Sequence, residues 1–161
     1  MNITFKTAIK NPSLLISTGF GIGLVPFAPG TFGSGAGLCL YIFLAHFMQV
    51  TAINGALIYF LLLVISLFVV HQSIKQLGNK DHQEIVIDEI LAMMLVAHFI
   101  PPDPKWAIGA FLIFRFFDIV KPFPIKQIES SQNNAFGIIV DDQIAAGYSI
   151  IVILTMKYLM F

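Results

Sequence analysis

The sequence predicts an all-α fold, a polytopic membrane bundle of about five helices with a polar site at its cytoplasmic face. Composition is the first observation behind this prediction. The 161-residue chain is 57% hydrophobic and only 11% charged, whereas soluble domains are roughly 25% charged. The second observation is that long apolar stretches recur and are separated by short segments containing Gly and Pro. We expect residues 1–161 to form one membrane-embedded domain, and the formal net charge of zero gives no indication of nucleic-acid binding.

Five apolar segments are candidates for membrane-spanning helices. A helix needs about 20 residues, within a range of roughly 17 to 25, to cross the hydrocarbon core. In chain order the candidates are Ser34–Val50, Ile53–Val70, Ile85–Ile100, Trp106–Val120 and Gly137–Phe161. The second segment contains no charged residue, whereas the last three contain acidic residues. Ionisable side chains are expensive in lipid, so these three segments are the place to look for function.

The lysines predict how the bundle is oriented. If the N-terminus is cytoplasmic, the five segments place six lysines inside and two outside, and the positive-inside rule favours this arrangement. The inner lysines are Lys6, Lys10, Lys75, Lys80, Lys121 and Lys126, and the outer ones are Lys105 and Lys157. The N-terminal stretch lacks a long apolar run followed by a cleavage site, so we expect no removable signal peptide.

Acidic residues of three separated segments fall at this same inner face. They are Asp81, Glu84, Asp88 and Glu89 in and before the third segment, Asp118 in the fourth, and Asp141 and Asp142 in the fifth. The i, i+3, i+7 spacing of the first three predicts one shared helix face, provided that the third helix begins early enough. Because the orientation was derived from lysines alone, this convergence is independent evidence for a site.

The chemistry of clustered carboxylates points to a cation and a phosphate. Carboxylates held together repel one another unless a positive group lies between them. Hard oxygen ligands favour Mg²⁺, which often completes its shell with water and substrate phosphate. Arg115 and Lys121 flank Asp118 at i, i+3, i+6 spacing and could either neutralise acids or hold a phosphate. The pattern therefore predicts a site for a phosphorylated substrate.

A glycine-rich run, Gly19–Gly37, precedes the first predicted span. It matches neither a Walker A loop nor a dinucleotide fingerprint. Two interpretations remain open. The glycines could form a re-entrant turn or allow tight helix packing, or the run could touch the substrate phosphate, with Thr31 and Ser34 as hydroxyl donors.

Four motifs in this order resemble the phosphatidylglycerophosphatase A family: FAPGTFGSGAG, DHQEIVIDEILAMM, FRFFDIVKPFPI and FGIIVDDQIAAG. The resemblance runs from about Thr18 to Tyr148. It implies a bacterial inner-membrane, Mg²⁺-dependent lipid phosphatase that converts phosphatidylglycerophosphate to phosphatidylglycerol. By motif position, it implies acidic metal ligands at Asp81, Asp88, Glu89, Asp118, Asp141 and Asp142, and a basic residue at Lys121. The chain departs from the family at Ala92 and Ala146, where glycine is usual.

The residues and the resemblance together assign roles as follows. Catalytic roles are predicted for Asp88, Glu89, Asp142 and Lys121, and substrate binding for Thr31, Ser34, Arg115 and Lys121. The predicted cofactor is Mg²⁺, the predicted partners are the lipid substrate and the bilayer, and the active site is expected to face the cytoplasm. An alternative from another class is a small proton- or cation-coupled transporter, which would distribute its acids along a path across the membrane. A non-catalytic assembly factor would need no clustered acids.

Overall fold

The computed structural model describes residues 3–48, 52–77, 82–127 and 134–160, and these residues contain α-helices and no β-strand. The all-α prediction is therefore confirmed. The α-helices with defined ends are α1 (Phe5–Ile9), α2 (Pro12–Ser17), α3 (Pro29–Met48), α4 (Ala52–Leu77), α5 (Ile87–Ala97), α6 (Pro104–Val120) and α7 (Ala135–Met160), and a short 3₁₀ turn occupies Ile22–Leu24.

The sequence explains where several helices begin. Thr4 caps α1 by a reciprocal arrangement with Thr7, and Asn11 caps α2, whose first residue is Pro12. Asp103 accepts a 2.7 Å hydrogen bond from the Lys105 amide at the start of α6. Such caps satisfy backbone N–H groups that have no partner inside the helix. The N-terminal helices α1 and α2 were not anticipated from hydropathy, because each is too short to produce a periodic signal.

Three helices are long and apolar enough to cross a membrane: residues Pro29–Phe47 of α3, Ile53–Leu77 of α4 and Ala135–Met160 of α7. Their outward-facing side chains are mainly large and apolar, as expected for surfaces in contact with lipid. Helix α6 has 17 residues, which correspond to about 26 Å of helix. The chain is thus a helical membrane protein, and the estimate of about five main helices holds for α3 to α7.

The third predicted span differs from expectation. Helix α5 has only 11 residues, about 16 Å at the usual rise, and cannot cross a hydrocarbon core of about 30 Å. Residues Leu91–Met94 are all buried, and α5 contacts α3, α4, α6 and α7. Its apolar character therefore reflects burial inside the protein rather than contact with lipid. Hydropathy alone does not separate these two environments.

The glycine-rich run is largely helical, because α3 begins at Pro29 within it. One face of α3 lies directly on α5. A Cβ added at Gly33 would lie 2.9 Å from Val86 Cβ, and one added at Gly37 would lie 2.3 Å from the Ile90 carbonyl oxygen. Because glycine has no side chain, the two helices approach closely at these positions, which supports the tight-packing interpretation.

Four helix ends meet at one end of the bundle: the start of α3, the start of α5, the end of α6 and the start of α7. A buried core fixes this arrangement through α5, α6 and α7. Its fully buried members include Ala92 and Ala146, the two positions that depart from the family pattern. Their methyl groups are fully buried in this core.

Candidate functional site

Three carboxylates from two helices form the centre of the polar site. Asp88 and Glu89 lie in the first turn of α5, and Asp142 lies in the second turn of α7. One oxygen from each of these residues lies within 4.8 Å of the other two. Asp88 is 5% exposed and Asp142 is 4% exposed. We call these three residues the acidic trio.

The acidic trio has carboxylate oxygens that receive no hydrogen bond. Among the described residues, Glu89 Oε2 and Asp142 Oδ2 are buried and without a hydrogen-bond partner. Burial raises the pKa of Glu89 to about 8, and the charge of the nearby Asp142 carboxylate is the second cause of this increase. Burial followed by the charge of Glu89 raises the pKa of Asp88. Both residues lie on α5, outside the spanning helices. The raised pKa values mean that a nearby positive charge is needed to keep these carboxylates in the charged form.

Two further acids lie beside the trio, and each pairs with a basic side chain. The Arg115 guanidinium on α6 donates to Asp118 Oδ2, one helical turn further along. Lys121 Nζ donates to Asp141 Oδ2 at 2.9 Å and so links the end of α6 to α7. Lys121 caps α6 in a left-handed conformation with φ 46°, which is uncommon for a residue with a side chain. The flanking acids thus each accept a hydrogen bond from a basic side chain, and the Arg115 charge also acts on Glu89 of the trio.

Helix α3 holds Arg115 from the other side. Arg115 Nη1 donates to Ser34 Oγ at 3.2 Å, while Ser34 Oγ donates to the Gly30 carbonyl at 2.8 Å. A Cβ at Gly30 would lie 2.2 Å from Glu89 Oε1 and 3.3 Å from Arg115 Nη1. Gly30 thus leaves room for the Glu89 carboxylate, and Ser34 orients the guanidinium.

The structure brings together most of the residues predicted from the sequence. Asp88, Glu89, Asp118, Asp141 and Asp142 meet at one end of the bundle together with Arg115 and Lys121. Ser34 contacts Arg115 but is fully buried, so its hydroxyl is engaged inside the protein. Thr31 lies in the first turn of α3 and is half-buried.

Two predictions near the third segment have a different outcome. Glu84 does not share a helix face with Asp88, because α5 begins only at Ile87. Glu84 lies in the preceding turn, where its Oε2 is 3.7 Å from His82 Nδ1. Asp81, a predicted metal ligand, lies outside the described residues.

The acidic trio fits a hard divalent cation. Its donors are carboxylate oxygens only, they come from two helices that the core holds together, and at least two of the oxygens are buried without a partner in the described part of the chain. Mg²⁺ binds through one or two carboxylates and leaves positions open for water and phosphate. Buried acids without such a cation would be strongly destabilising.

Sequence reasoning named Thr31 and Ser34 of this stretch as hydroxyl donors, but it missed Gly30 and the contact of Ser34 with Arg115. Gly30 and Ser34 are spaced i, i+4, so they share a helix face, and that face points at Glu89 and Arg115. The signal was present in the GTFGS motif. It could be used only once this stretch was known to be helical.

The chain is similar to known proteins over most of its length. The family model of phosphatidylglycerophosphatase A matches residues 15–157. A phosphatidylglycerophosphatase A of Haemophilus influenzae is 38% identical over 158 residues, covering 96% of this chain and 94% of that protein. A phosphatidylglycerophosphatase A of Escherichia coli is 35% identical over 141 residues, covering 87% of this chain and 80% of that protein.

A third relative has a different name. A Bacteroides thetaiotaomicron protein named "Putative phosphatidylinositol-3-phosphatase" is 31% identical over 159 residues, covering 93% of this chain and 98% of that protein. No solved structure matches the chain.

Proposed function

The chain belongs to the phosphatidylglycerophosphatase A family, and from this premise we propose that it hydrolyses the terminal phosphomonoester of phosphatidylglycerophosphate with the help of Mg²⁺. Members of the family are phosphatases, so the chain is a phosphoric monoester hydrolase. The observation that carries the Mg²⁺ proposal is the acidic trio, whose buried oxygens lack partners among the described residues. The products are phosphatidylglycerol and inorganic phosphate.

Asp88, Glu89 and Asp142 hold the cation in this proposal. Asp118 and Asp141 lie next to the trio, where their pairing with Arg115 and Lys121 orients their carboxylates. When bound, Mg²⁺ supplies positive charge that neutralises the phosphate and favours attack by water. The division between metal-holding acids and paired acids explains why one site contains five carboxylates.

The basic residues bind the phosphate. The Lys121 side chain is 23% exposed and its Nζ lies at the edge of the acid cluster, so it can donate to a phosphate oxygen while Asp141 orients it. Arg115, restrained by Ser34 and Asp118, contributes a second fixed positive charge. Fixed charges stabilise the negative charge that develops on the non-bridging and leaving oxygens. Catalysis therefore depends on groups that are positioned before the substrate arrives.

Water is the proposed nucleophile. Its oxygen forms a bond to phosphorus as the bond to the glycerol oxygen breaks, and a carboxylate of the trio accepts the proton from the water. The same carboxylate then returns this proton to the glycerol oxygen, which leaves as a hydroxyl group. No feature of the site distinguishes one acid as a covalent nucleophile, so direct attack by water is the simpler mechanism.

We propose that the acid-bearing end faces the cytoplasm. The excess of lysines on this side supports that orientation. The acids lie near helix ends rather than at the middle of the spanning helices, where a lipid headgroup would be located and its acyl chains would remain in the bilayer. The transporter alternative receives no support, because its acids should continue across the membrane.

Phosphate release from phosphatidylglycerophosphate in detergent micelles tests the proposal. The purified protein is assayed with Mg²⁺, with a chelator, and with Mg²⁺ restored, alongside Asp142→Asn. We expect release that requires Mg²⁺ and is lost in the variant. Release that survives both the chelator and the variant would contradict the metal assignment.

Substrate range needs its own comparison, since one relative is named for phosphatidylinositol 3-phosphate. Both lipids should be offered to the same preparation at equal surface concentration. Preference for phosphatidylglycerophosphate is expected from the two relatives with the higher identity. A higher kcat/KM for the inositol lipid would overturn the substrate proposal and leave the phosphatase assignment intact.

A further inference from the structure

An exposed apolar surface lies near the N-terminus of the chain. It consists of Phe5 and Ile9 on α1 and Phe20 in the turn after α2, which are 59%, 56% and 71% exposed. The parts are contiguous, because a Cβ at Gly21 would lie 3.1 Å from the Phe5 ring. We call these three residues the N-terminal apolar patch.

Helix α1 is amphipathic despite its length. Phe5 and Ile9 share one face at i, i+4 spacing, and Lys6 and Lys10 occupy the neighbouring face and are exposed. Ala8, on the inner side, is buried in a cluster that includes Leu77 at the end of α4. The helix is thus attached to the bundle on one side and carries uncovered apolar and basic groups on the others.

Helix α4 gives the depth of this patch. From Ala56 to Phe68 its exposed side chains are apolar, and the next exposed side chains are polar or basic at His71 and Lys75, which marks the inner boundary of the hydrocarbon. Helix α2 is hydrogen-bonded to α4 just beyond this boundary. The hydroxyl oxygens of Ser17 and Ser73 are 3.0 Å apart, and Gln76 Nε2 donates to Ser13 Oγ at 3.3 Å.

Ser73 and Gln76 are five and eight residues beyond Phe68, a rise of about 8 to 12 Å. The patch therefore lies at the level of the lipid headgroups. Helices that bind membrane surfaces place their apolar side chains about 5 to 10 Å into this boundary region.

The backbone around Phe20 is unusual. Gly19, Phe20 and Gly21 have φ values of 58°, 58° and 95°. A left-handed conformation costs a non-glycine residue free energy, and such strain tends to be retained where it serves a function. Here it keeps a large aromatic side chain directed outward, although a glycine or asparagine would fit the same turn with less strain.

We propose that α1, α2 and the turn at Gly19–Gly21 form an interfacial anchor. Phe5, Ile9 and Phe20 insert into the headgroup region of the leaflet on the acid-bearing side, and Lys6 and Lys10 bind the phosphates of anionic lipids. Lipid is favoured over a second copy of the chain because the helices that carry the patch pack on α4 just beyond its lipid-facing part and the patch is flanked by lysines, which anionic headgroups attract.

The single tryptophan of the chain, Trp106, makes the proposal directly measurable. In a Trp106→Phe background, Phe20→Trp places the only indole in the patch, and the protein is reconstituted in vesicles of phosphatidylcholine and phosphatidylglycerol. Spin labels are carried on lipids either near the headgroup or deep in the acyl chains. We expect blue-shifted emission, shielding from aqueous iodide, and stronger quenching by the shallow label than by the deep one.

A depth control uses Phe60→Trp in the same background, because Phe60 is exposed on α4 about 12 Å above Phe68 in the membrane direction. The deep label should quench it more strongly. Phe5→Trp repeats the measurement at the patch should the Phe20 variant fail to fold. With Lys6→Gln and Lys10→Gln added, quenching of the patch indole should fall in the anionic vesicles.

Two results would overturn the anchor. Access of iodide equal to that of free N-acetyltryptophanamide, without lipid quenching, would mean that the patch faces water. Shielding from iodide without quenching by either lipid label would mean that protein, such as a second copy, covers it. Neither result depends on phosphatase activity.

Discussion

Gly30→Ala tests whether α3 shapes the active site. The added Cβ would lie 2.2 Å from Glu89 Oε1, whereas ordinary C–H···O contacts have a carbon-to-oxygen distance of about 3.3 Å. The carboxylate must therefore move by about 1 Å, which its flexible side chain allows without unfolding the protein. A misplacement of about 1 Å can lower an enzymatic rate about 100-fold, so we expect kcat/KM to fall by about two orders of magnitude.

Gly35→Ala is the matched control. It makes the same chemical change on the same helix, but the new Cβ would meet no atom within 4 Å. Alanine is a better helix former than glycine by about 1 kcal/mol, so this variant should keep its activity and have an equal or slightly higher melting temperature in detergent. Phosphate release from phosphatidylglycerophosphate and thermal unfolding are measured for both.

The reasoning is refuted by either of two outcomes. A Gly30→Ala protein with near wild-type kcat/KM would mean that the position of the Glu89 carboxylate does not matter. Equal losses of activity in Gly30→Ala and Gly35→Ala would mean that a general change in α3, and not contact with the site, is responsible.

The remaining predictions concern the metal, the phosphate and the guanidinium. Asp142→Asn should lower kcat/KM about 100-fold or more. It should also abolish the Mg²⁺-dependent rise in melting temperature of the wild type, which corresponds to about 2.7 kcal/mol of added stability at 100 times the Kd. An undiminished shift in melting temperature with Mg²⁺ would remove Asp142 from the metal site. Lys121→Met should lower kcat/KM about 100-fold, while Lys126→Met, at an exposed position, should match the wild type; similar losses in both would indicate a general effect of charge. Ser34→Ala leaves Arg115 without one partner and should lower kcat/KM about tenfold, with no further loss in an Arg115→Gln background; additive losses would show that Ser34 acts independently of Arg115.

Much of the site could be predicted from the sequence because like charges in an apolar chain are conspicuous. Asp88, Glu89, Asp118, Asp141 and Asp142 were identified from their position at the ends of apolar segments, and the structure brings them together. The cost of burying a charge is what makes this inference possible. The same reasoning failed for Glu84, because the start of α5 depends on contacts with α3 that no local pattern reveals.

The sequence by itself determined the helical class, the membrane environment and the identities of the acids, since composition and apolar segment length follow from the solvent that surrounds the chain. Only the tertiary structure decided which acids form the trio and which pair with Arg115 or Lys121, since side-chain partners come from helices far apart in sequence. It also decided that α5 is buried in protein and not in lipid. Both surroundings exclude water, so an apolar helix looks the same in either until its neighbours are known.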